Sequence, residues 1–245
     1  MKANPLFLAA LTAAISADLT GADVVRCLTE PVADVEMSSI VRGTVSVIHF
    51  SEGSFVDQGV VVLELESRAE QLDVERRKVL VENLEATLER SEMLFEKTSS
   101  IAMEEVDEAR SEFLIAQIDL EVAKDALEKK LIRAPFSGIV TDLPIEVGEF
   151  CEPPQILVRI VDTRQFYCVA NIDPVAASKL ETGNPVTYIS ESGFGTQQLK
   201  DGKIVFISPV VDPASGLLRI KARFSNPEGQ VRPGEGGLLE LNPQS

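Results

Sequence analysis

Tryptophan is absent from this 245-residue chain, and histidine occurs once, at His49. A single imidazole rules out the H-E-x-x-H pair of a zinc hydrolase. Neither a G-x-S-x-G elbow nor a phosphate-cradling glycine loop is present. His49 lies in a β-like run, where a structural histidine is the usual case. The acidic residues are abundant but form no pair that stands out as a catalytic site, so an enzyme is not expected. Positive charge is scarce: 23 Lys and Arg stand against 39 Asp and Glu, a formal net charge of −16. That excludes the basic footprint which displaces counterions from nucleic-acid phosphates, so no nucleic-acid partner is expected. Cysteine occurs three times, as Cys27, Cys151 and Cys168. An odd count at irregular spacing makes neither a disulfide framework nor a metal knuckle. The three read as small buried hydrophobes, with one bridge and a leftover thiol as the alternative.

Long apolar runs are missing too, except at the start. Lys2 precedes Pro5–Ile15, and small residues follow up to Ala22. A basic, then apolar, then small-residue start is the pattern of a secretory signal peptide over residues 1–22, too short for a comfortable membrane span of about 20 residues. Export out of the cytoplasm is therefore expected.

Glycine and proline vanish between Arg68 and Lys130, where Glu, Lys, Arg, Ala and Leu dominate. These are strong helix formers. Val74, Val81, Leu84, Leu88 and Phe95 follow one seven-residue pattern, and Ala109, Phe113, Ala116, Leu120, Ala123 and Leu127 follow another. Each set places an apolar stripe along one helix and predicts a coiled-coil seam. Thr98-Ser99-Ser100 breaks the pattern and supplies side chains able to cap the second helix. The expectation is an antiparallel helical hairpin over 68–130, each arm on the order of 30 residues and about 45 Å long.

The segments flanking that insert repeat each other. Gly43–Leu65 reads G-T-V-S-V-I-H-F-S-E-G-S-F-V-D-Q-G-V-V-V-L-E-L, and Gly138–Ile160 reads G-I-V-T-D-L-P-I-E-V-G-E-F-C-E-P-P-Q-I-L-V-R-I. A constant offset of 95 positions pairs Gly43 with Gly138, Gly53 with Gly148, Phe55 with Phe150, Leu63 with Val158 and Leu65 with Ile160. Two copies of one small β-unit, neither able to bury its apolar face alone, are expected to close a common core. Gly43, Gly53, Gly138 and Gly148 read as structural turn positions. Beyond Thr163 come short β-like runs at Phe166–Ile172, Pro185–Ile189, Gly202–Ile207, Leu217–Phe224 and Gly237–Leu241, separated by turn signals. This predicts a small antiparallel barrel, with a short helix over Asp173–Leu180.

The order of half β-unit, helical hairpin, half β-unit and small barrel resembles the periplasmic adaptor subunits of bacterial efflux pumps, the HlyD-like membrane fusion proteins of RND type. Three segments carry the resemblance. Ser51–Gly59 and Leu131–Val140 look like the halves of that family's split lipoyl-like (biotinyl-like) domain. Leu94–Lys97 and Glu105–Ala109 look like the sides of its hairpin tip. Ile207–Pro213, with Asn226–Gly229 and Arg232–Gly234, is similar to its barrel domain. The implied fold is mixed α+β and elongated. It comprises residues 23–67 as a barrel strand and first lipoyl-like half, 68–130 as hairpin, 131–162 as second half and 163–245 as β-barrel.

What the resemblance implies about function is equally definite. Such adaptors link an inner-membrane transporter (RND or ABC type) to an outer-membrane channel. They sit in the periplasm, pack as a homo-oligomer ring, and use no cofactor. Many relatives carry an arginine four residues before a leucine and a serine seven after it at the tip. Arg90 and Leu94 match, while Ile101 stands at the serine position and Ser100 one residue earlier. Channel contact is thereby assigned to Arg90, Leu94, Ser99, Ser100, Ile101, Ala102 and Met103. Asp212, Pro213, Ser215 and Gly216 become candidates for transporter or subunit contact. Three rival readings fare worse. A biotin or lipoate carrier needs a lysine on a short turn between the halves, and the whole insert lies there instead. Met93 and Met103 offer thioethers to a soft metal, but read as apolar filler near a helix end. An extracytoplasmic coiled-coil scaffold explains the hairpin but neither the repeat nor the barrel.

Overall fold

The computed structural model describes residues 23–98, 101–190 and 198–241. The expected signal peptide at 1–22 and the tip residues Ser99 and Ser100 lie outside them. The chain divides into two compact units. One is built from the residues up to Glu30 with Tyr167–Ser225 and Gly234 onward, the other from Pro31–Phe166 with Asn226–Pro233. Among the described residues no helix is long and apolar enough to cross a membrane.

The second unit contains the repeat. Its first half supplies β2 (Gly43–Ile48), β3 (Phe55–Val56) and β4 (Val61–Leu65). After the hairpin come β5 (Leu131–Arg133), β6 (Gly138–Asp142), β7 (Phe150–Cys151) and the start of β8 (Ile156–Ile172). The halves exchange their short strands: β7 pairs with β2 and β3 with β6, both antiparallel. The exchange is symmetric at the level of single bonds. Gly53 donates its N–H to the Val140 carbonyl at 2.8 Å and Val140 to Ser54 at 3.0 Å; Gly148 donates to Val45 at 2.8 Å and Val45 to Glu149 at 2.8 Å. Each of these partners is displaced from its counterpart by the offset of the sequence repeat. One shared core results, with Val45, Val62, Leu63 and Leu65 from the first half packed among Val140, Leu157, Val158 and Ile160 from the second.

Glycine serves this unit in two ways. Gly53 and Gly148 occupy turns at φ +84° and +92°, a region open to glycine and strained for other residues. Gly43 and Gly138 open strands β2 and β6 and are not turn positions in this structure. At Gly138 the constraint is close approach, because a Cβ there would lie 2.7 Å from the Val161 carbonyl oxygen.

Two helices leave the same unit, α1 (Arg68–Thr98) and α2 (Met103–Glu128). Val74, Val81, Leu84 and Leu88 are half-buried in α1 against Ala109, Ala116 and Ala123, which are fully buried in α2. Small residues along α2 let the two backbones come close. Arg77 pairs with Asp119 across the seam, and Arg110 with Glu92 at 2.8 Å. These contacts set the antiparallel register.

The first unit is the barrel. Its strands are the N-terminal part of β1 (Asp23–Ser38), the C-terminal part of β8, β9 (Pro185–Ser190), β10 (Gln198–Ile207), β11 (Leu218–Ser225) and β12 (Gly236–Leu241). They run in the order β1-β12-β9-β10-β11-β8, and β1 also pairs with β8, so the sheet returns on itself. Pro31 lies within β1. It falls beyond the β1–β12 register, which ends at Leu28, so its missing N–H removes no bond from that ladder. A short helix α3 (Pro174–Ala177) is capped by Asp173, whose carboxylate accepts the Val175 N–H at 2.7 Å.

Cys27 on β1 and Cys168 on β8 are joined by a disulfide with their Cα atoms 5.9 Å apart. Cys151 is free and buried in the other unit. All three are buried, as their reading as small hydrophobes requires, yet two are also bonded. Tyr188 and Phe224 fill the barrel interior edge to face at 5.9 Å. Their rings lie on Gly237 and Gly202, where a Cβ would fall 2.3 and 2.2 Å from ring carbons.

Candidate functional site

The hairpin tip is built from the last turn of α1 and the first of α2. Helix α2 starts at Met103 with Ala102 as its N-cap (φ −76°, ψ 151°) and no side-chain cap bond. The N-cap position expected among Thr98-Ser99-Ser100 falls at Ala102; Ser99 and Ser100 lie outside the described residues. Extended Ala102 takes the cap position, and its carbonyl accepts the Glu105 N–H at 3.1 Å. Glu104 and Glu105 occupy the first turn, where negative charge suits the helix dipole.

Arg90, Leu94, Ala102 and Met103 are exposed, and Ile101 is half-buried. Arg90 donates to the Thr87 hydroxyl at 3.0 Å. Phe95, assigned to the seam from its spacing, is 36% exposed and joins Met93, Leu94 and Met103 as apolar surface at the tip. The inner contact here falls to Val106, 2% exposed. Val106 precedes Ala109 by three and continues the α2 stripe, so the 3-4 spacing carried the signal for it. The tip thus presents apolar side chains ringed by acids on a stiff support, a surface suited to packing against other helices.

The second candidate is the loop after β10. Asp212 organises it. Its carboxylate accepts the Ala214 N–H at 3.0 Å and the Ser215 hydroxyl at 2.8 Å, while its backbone N–H donates to Leu217 at 2.9 Å. Those donors hold the Asp212 carboxyl below the ordinary aspartate range. Gly216 closes the turn at φ +72°. Pro213, Ser215 and Gly216 are exposed, and the loop flanks a groove lined by Phe206, Val210, Val211 and Arg219. Val210 and Val211 stand out to solvent on this braced loop, and their spacing gave no warning of it. The tip lies in one unit and the loop in the other.

His49 Nε2 meets the Glu64 carboxylate at 2.8 Å on the surface of β-structure. Among the described residues no three His, Cys, Asp or Glu side chains gather as metal ligands.

The family model for the β-barrel domain of RND membrane fusion proteins matches residues 172–236. The match covers most of the barrel unit's later strands and about a quarter of the chain. The chain is 27% identical over 220 residues to the multidrug resistance protein MdtA of Xenorhabdus bovienii, covering 82% of this chain and 53% of that protein. The chain spans about half the length of the curated relatives it matches. Among solved structures it superposes on a MacA–MexA chimera carrying the Pseudomonas aeruginosa MexA α-hairpin. That match has a TM-score of 0.77 and 17% identity, with 91% of this chain and 82% of that one covered. It also superposes on the membrane fusion protein Spr0693 of Streptococcus pneumoniae R6, with a TM-score of 0.71, 15% identity, and 91% and 100% coverage. At such identities the structural matches speak for the fold: split β-unit, hairpin and barrel in the family's order.

Proposed function

We propose that this protein is a membrane fusion protein, the periplasmic adaptor of an efflux pump. It links an inner-membrane transporter, of RND type by its barrel, to an outer-membrane channel as one member of a ring of identical subunits. The observation that carries the reading is the exchanged β-core from which two long helices leave, in a chain whose barrel residues match the RND membrane fusion family. A helical pair rooted in a folded body holds its tip at a fixed distance, which a bridge requires and a carrier domain does not. The disulfide between Cys27 and Cys168 suits an oxidising compartment. The role needs positioning rather than chemistry, in keeping with a family of adaptors. Arg90, Leu94 and Ser99–Met103 are the residues assigned to the channel. The loop at Asp212–Gly216 is assigned to the transporter or to a neighbouring subunit.

Site-specific cross-linking in cells carrying the native partners tests this. A photo-cross-linker at Met103 is expected to capture an outer-membrane protein, and one at Ser215 an inner-membrane protein or a second copy. Tip adducts that never include an outer-membrane protein would refute the bridging role and leave the extracytoplasmic scaffold as the better reading.

A further inference from the structure

Among the described side chains, β1 is the one barrel strand that buries no large apolar group. In its barrel portion, up to Glu30, only Cys27 and Thr29 are buried, while Val24 and Leu28 are 42% and 52% exposed. Its neighbours contribute more: β8 buries Ala170 and Ile172 beside Cys168, and β12 buries Leu239 and Leu241. Apolar burial is the main favourable term in seating a strand, and β1 has little of it. What remains is the ladder to β12 over Asp23–Leu28 and the Thr29 N–H and hydroxyl, which donate to the Glu235 carbonyl at 2.9 and 2.8 Å. Glu30 pairs with Lys221 at 3.1 Å, a partly exposed contact of small worth. Both flanking strands, β8 and β12, are far off in sequence, so bringing β1 to them costs loop-closure entropy. The disulfide from Cys27 to Cys168, spanning 141 positions, sits on this weakly packed strand.

The bond is also out of reach. Cys168 is 0% exposed and Cys27 8%. Thiol–disulfide exchange proceeds by attack of a thiolate on a sulfur atom, which the closed sheet blocks at both ends. The bond must therefore be made while β1 is still off the sheet, and once β1 is seated a reductant cannot reach it. The third thiol is hidden by the other unit. Cys151 is fully buried in the exchanged core, where its Sγ donates to the Gly43 carbonyl at 3.3 Å. Closing that core first leaves Cys27 and Cys168 as the pair open to oxidation.

We infer that the Cys27–Cys168 bond is a one-way redox latch for β1, set by an external disulfide oxidant after the exchanged core has formed. One cysteine thiolate attacks the oxidant's disulfide and forms a mixed disulfide, and one oxidant sulfur leaves as thiolate. The other cysteine thiolate then attacks the chain sulfur of that mixed disulfide and releases the oxidant's second sulfur. The chain loses two electrons and two protons, and the oxidant takes both up as thiols. Reduced, the chain keeps the core and the hairpin but holds β1 loosely, leaving β8 and β12 with open edges. Oxidised, the barrel is closed and stays closed. The inference concerns how the barrel is completed and stands apart from the adaptor reading, which the tip cross-links judge.

The full-length chain tests it, unfolded in urea with dithiothreitol and refolded with or without the reductant. Amide hydrogen exchange, read peptide by peptide, is expected to be at least about tenfold faster in the reduced chain over Val24–Leu28 and Gly236–Leu241, and unchanged over Val45–Leu65 and Val140–Ile160. Cys27→Ser with Cys168→Ser should reproduce that pattern without reductant. Glutathione disulfide serves as the oxidant. Added to the refolded reduced chain it should give only the Cys27–Cys168 bond, and added in urea it should give bonds to Cys151 as well. The native oxidised chain, held in dithiothreitol with iodoacetamide, should take up no label until denaturant is added. Equal protection of β1 in both forms would overturn the latch, as would protection lost throughout the reduced chain, since the bond would then hold the whole fold. Bonds to Cys151 in the refolded chain, or none in urea, would overturn the order of events. Labelling of Cys27 and Cys168 in the native oxidised chain would overturn the one-way character.

Discussion

Replacing Gly202 with alanine tests the packing of the barrel most directly. The added Cβ would lie 2.2 Å from two ring carbons of Phe224, whose side chain is 1% exposed. A normal carbon–carbon contact is about 3.5–4.0 Å, so the ring must retreat by more than an ångström. It cannot move far, because Tyr188 stands edge-on to it at 5.9 Å and itself lies against Gly237. Overpacking of this kind costs typically 1–3 kcal/mol and sometimes more. With both rings fixed, the upper end applies, about 3 kcal/mol. For a unit of this size that lowers the barrel's melting transition by roughly 12–24 °C.

The control is Gly53→Ala. Gly53 has φ +84° and nothing within 4 Å of a built Cβ, so only backbone strain of about 1–2 kcal/mol is lost. Far-UV circular dichroism against temperature, with urea titration in parallel, reads both variants. If the cause is steric, Phe224→Leu introduced into Gly202→Ala should recover part of the loss, although Phe224→Leu alone destabilises. A Gly202→Ala variant within about 0.5 kcal/mol of the parent would refute the argument, as would losses that simply add in the double variant.

Three further outcomes follow from single interactions. Reducing the Cys27–Cys168 bond, or replacing both cysteines by serine, should destabilise the protein by about 2–5 kcal/mol. The bond closes a loop of 141 residues, near the large end of the chain-entropy scale, and denaturant midpoints with and without reductant measure it. Asn226→Ala should cost about 2–4 kcal/mol in the same assay, because its amide bonds Thr163 and Val231 carbonyls at 2.8 and 2.7 Å and accepts the Val231 N–H at 3.1 Å, all from a side chain 3% exposed. The Arg159 guanidinium, 2.6 and 2.8 Å away, holds the Asp34 carboxyl below its ordinary value. The stability this pair adds is therefore complete above the unfolded aspartate pKa and is lost as pH falls through the lower folded value. Asp34→Asn should flatten that acid limb of a stability-versus-pH curve by less than about 1 kcal/mol, as befits an exposed pair.

Most of the architecture could be read from the chain because it is periodic. The repeat of glycine, aromatic and aliphatic positions between Gly43–Leu65 and Gly138–Ile160 reappears as paired hydrogen bonds about an exchanged core. The seven-residue stripes became the seam, and five β-like runs after Thr163 became barrel strands. What escaped is what periodicity does not encode. Phe95 keeps the spacing of the α1 seam yet turns outward, because α2 opposite the tip starts only at Met103 and offers Val106 as its first inner residue. Gly43 and Gly138 share a repeat position with strand openings, and Gly138 is there for a carbonyl approaching at 2.7 Å, not for a turn. The bond between Cys27 and Cys168 spans 141 positions. It becomes obvious only once β1 and β8 are known to be neighbours in the barrel.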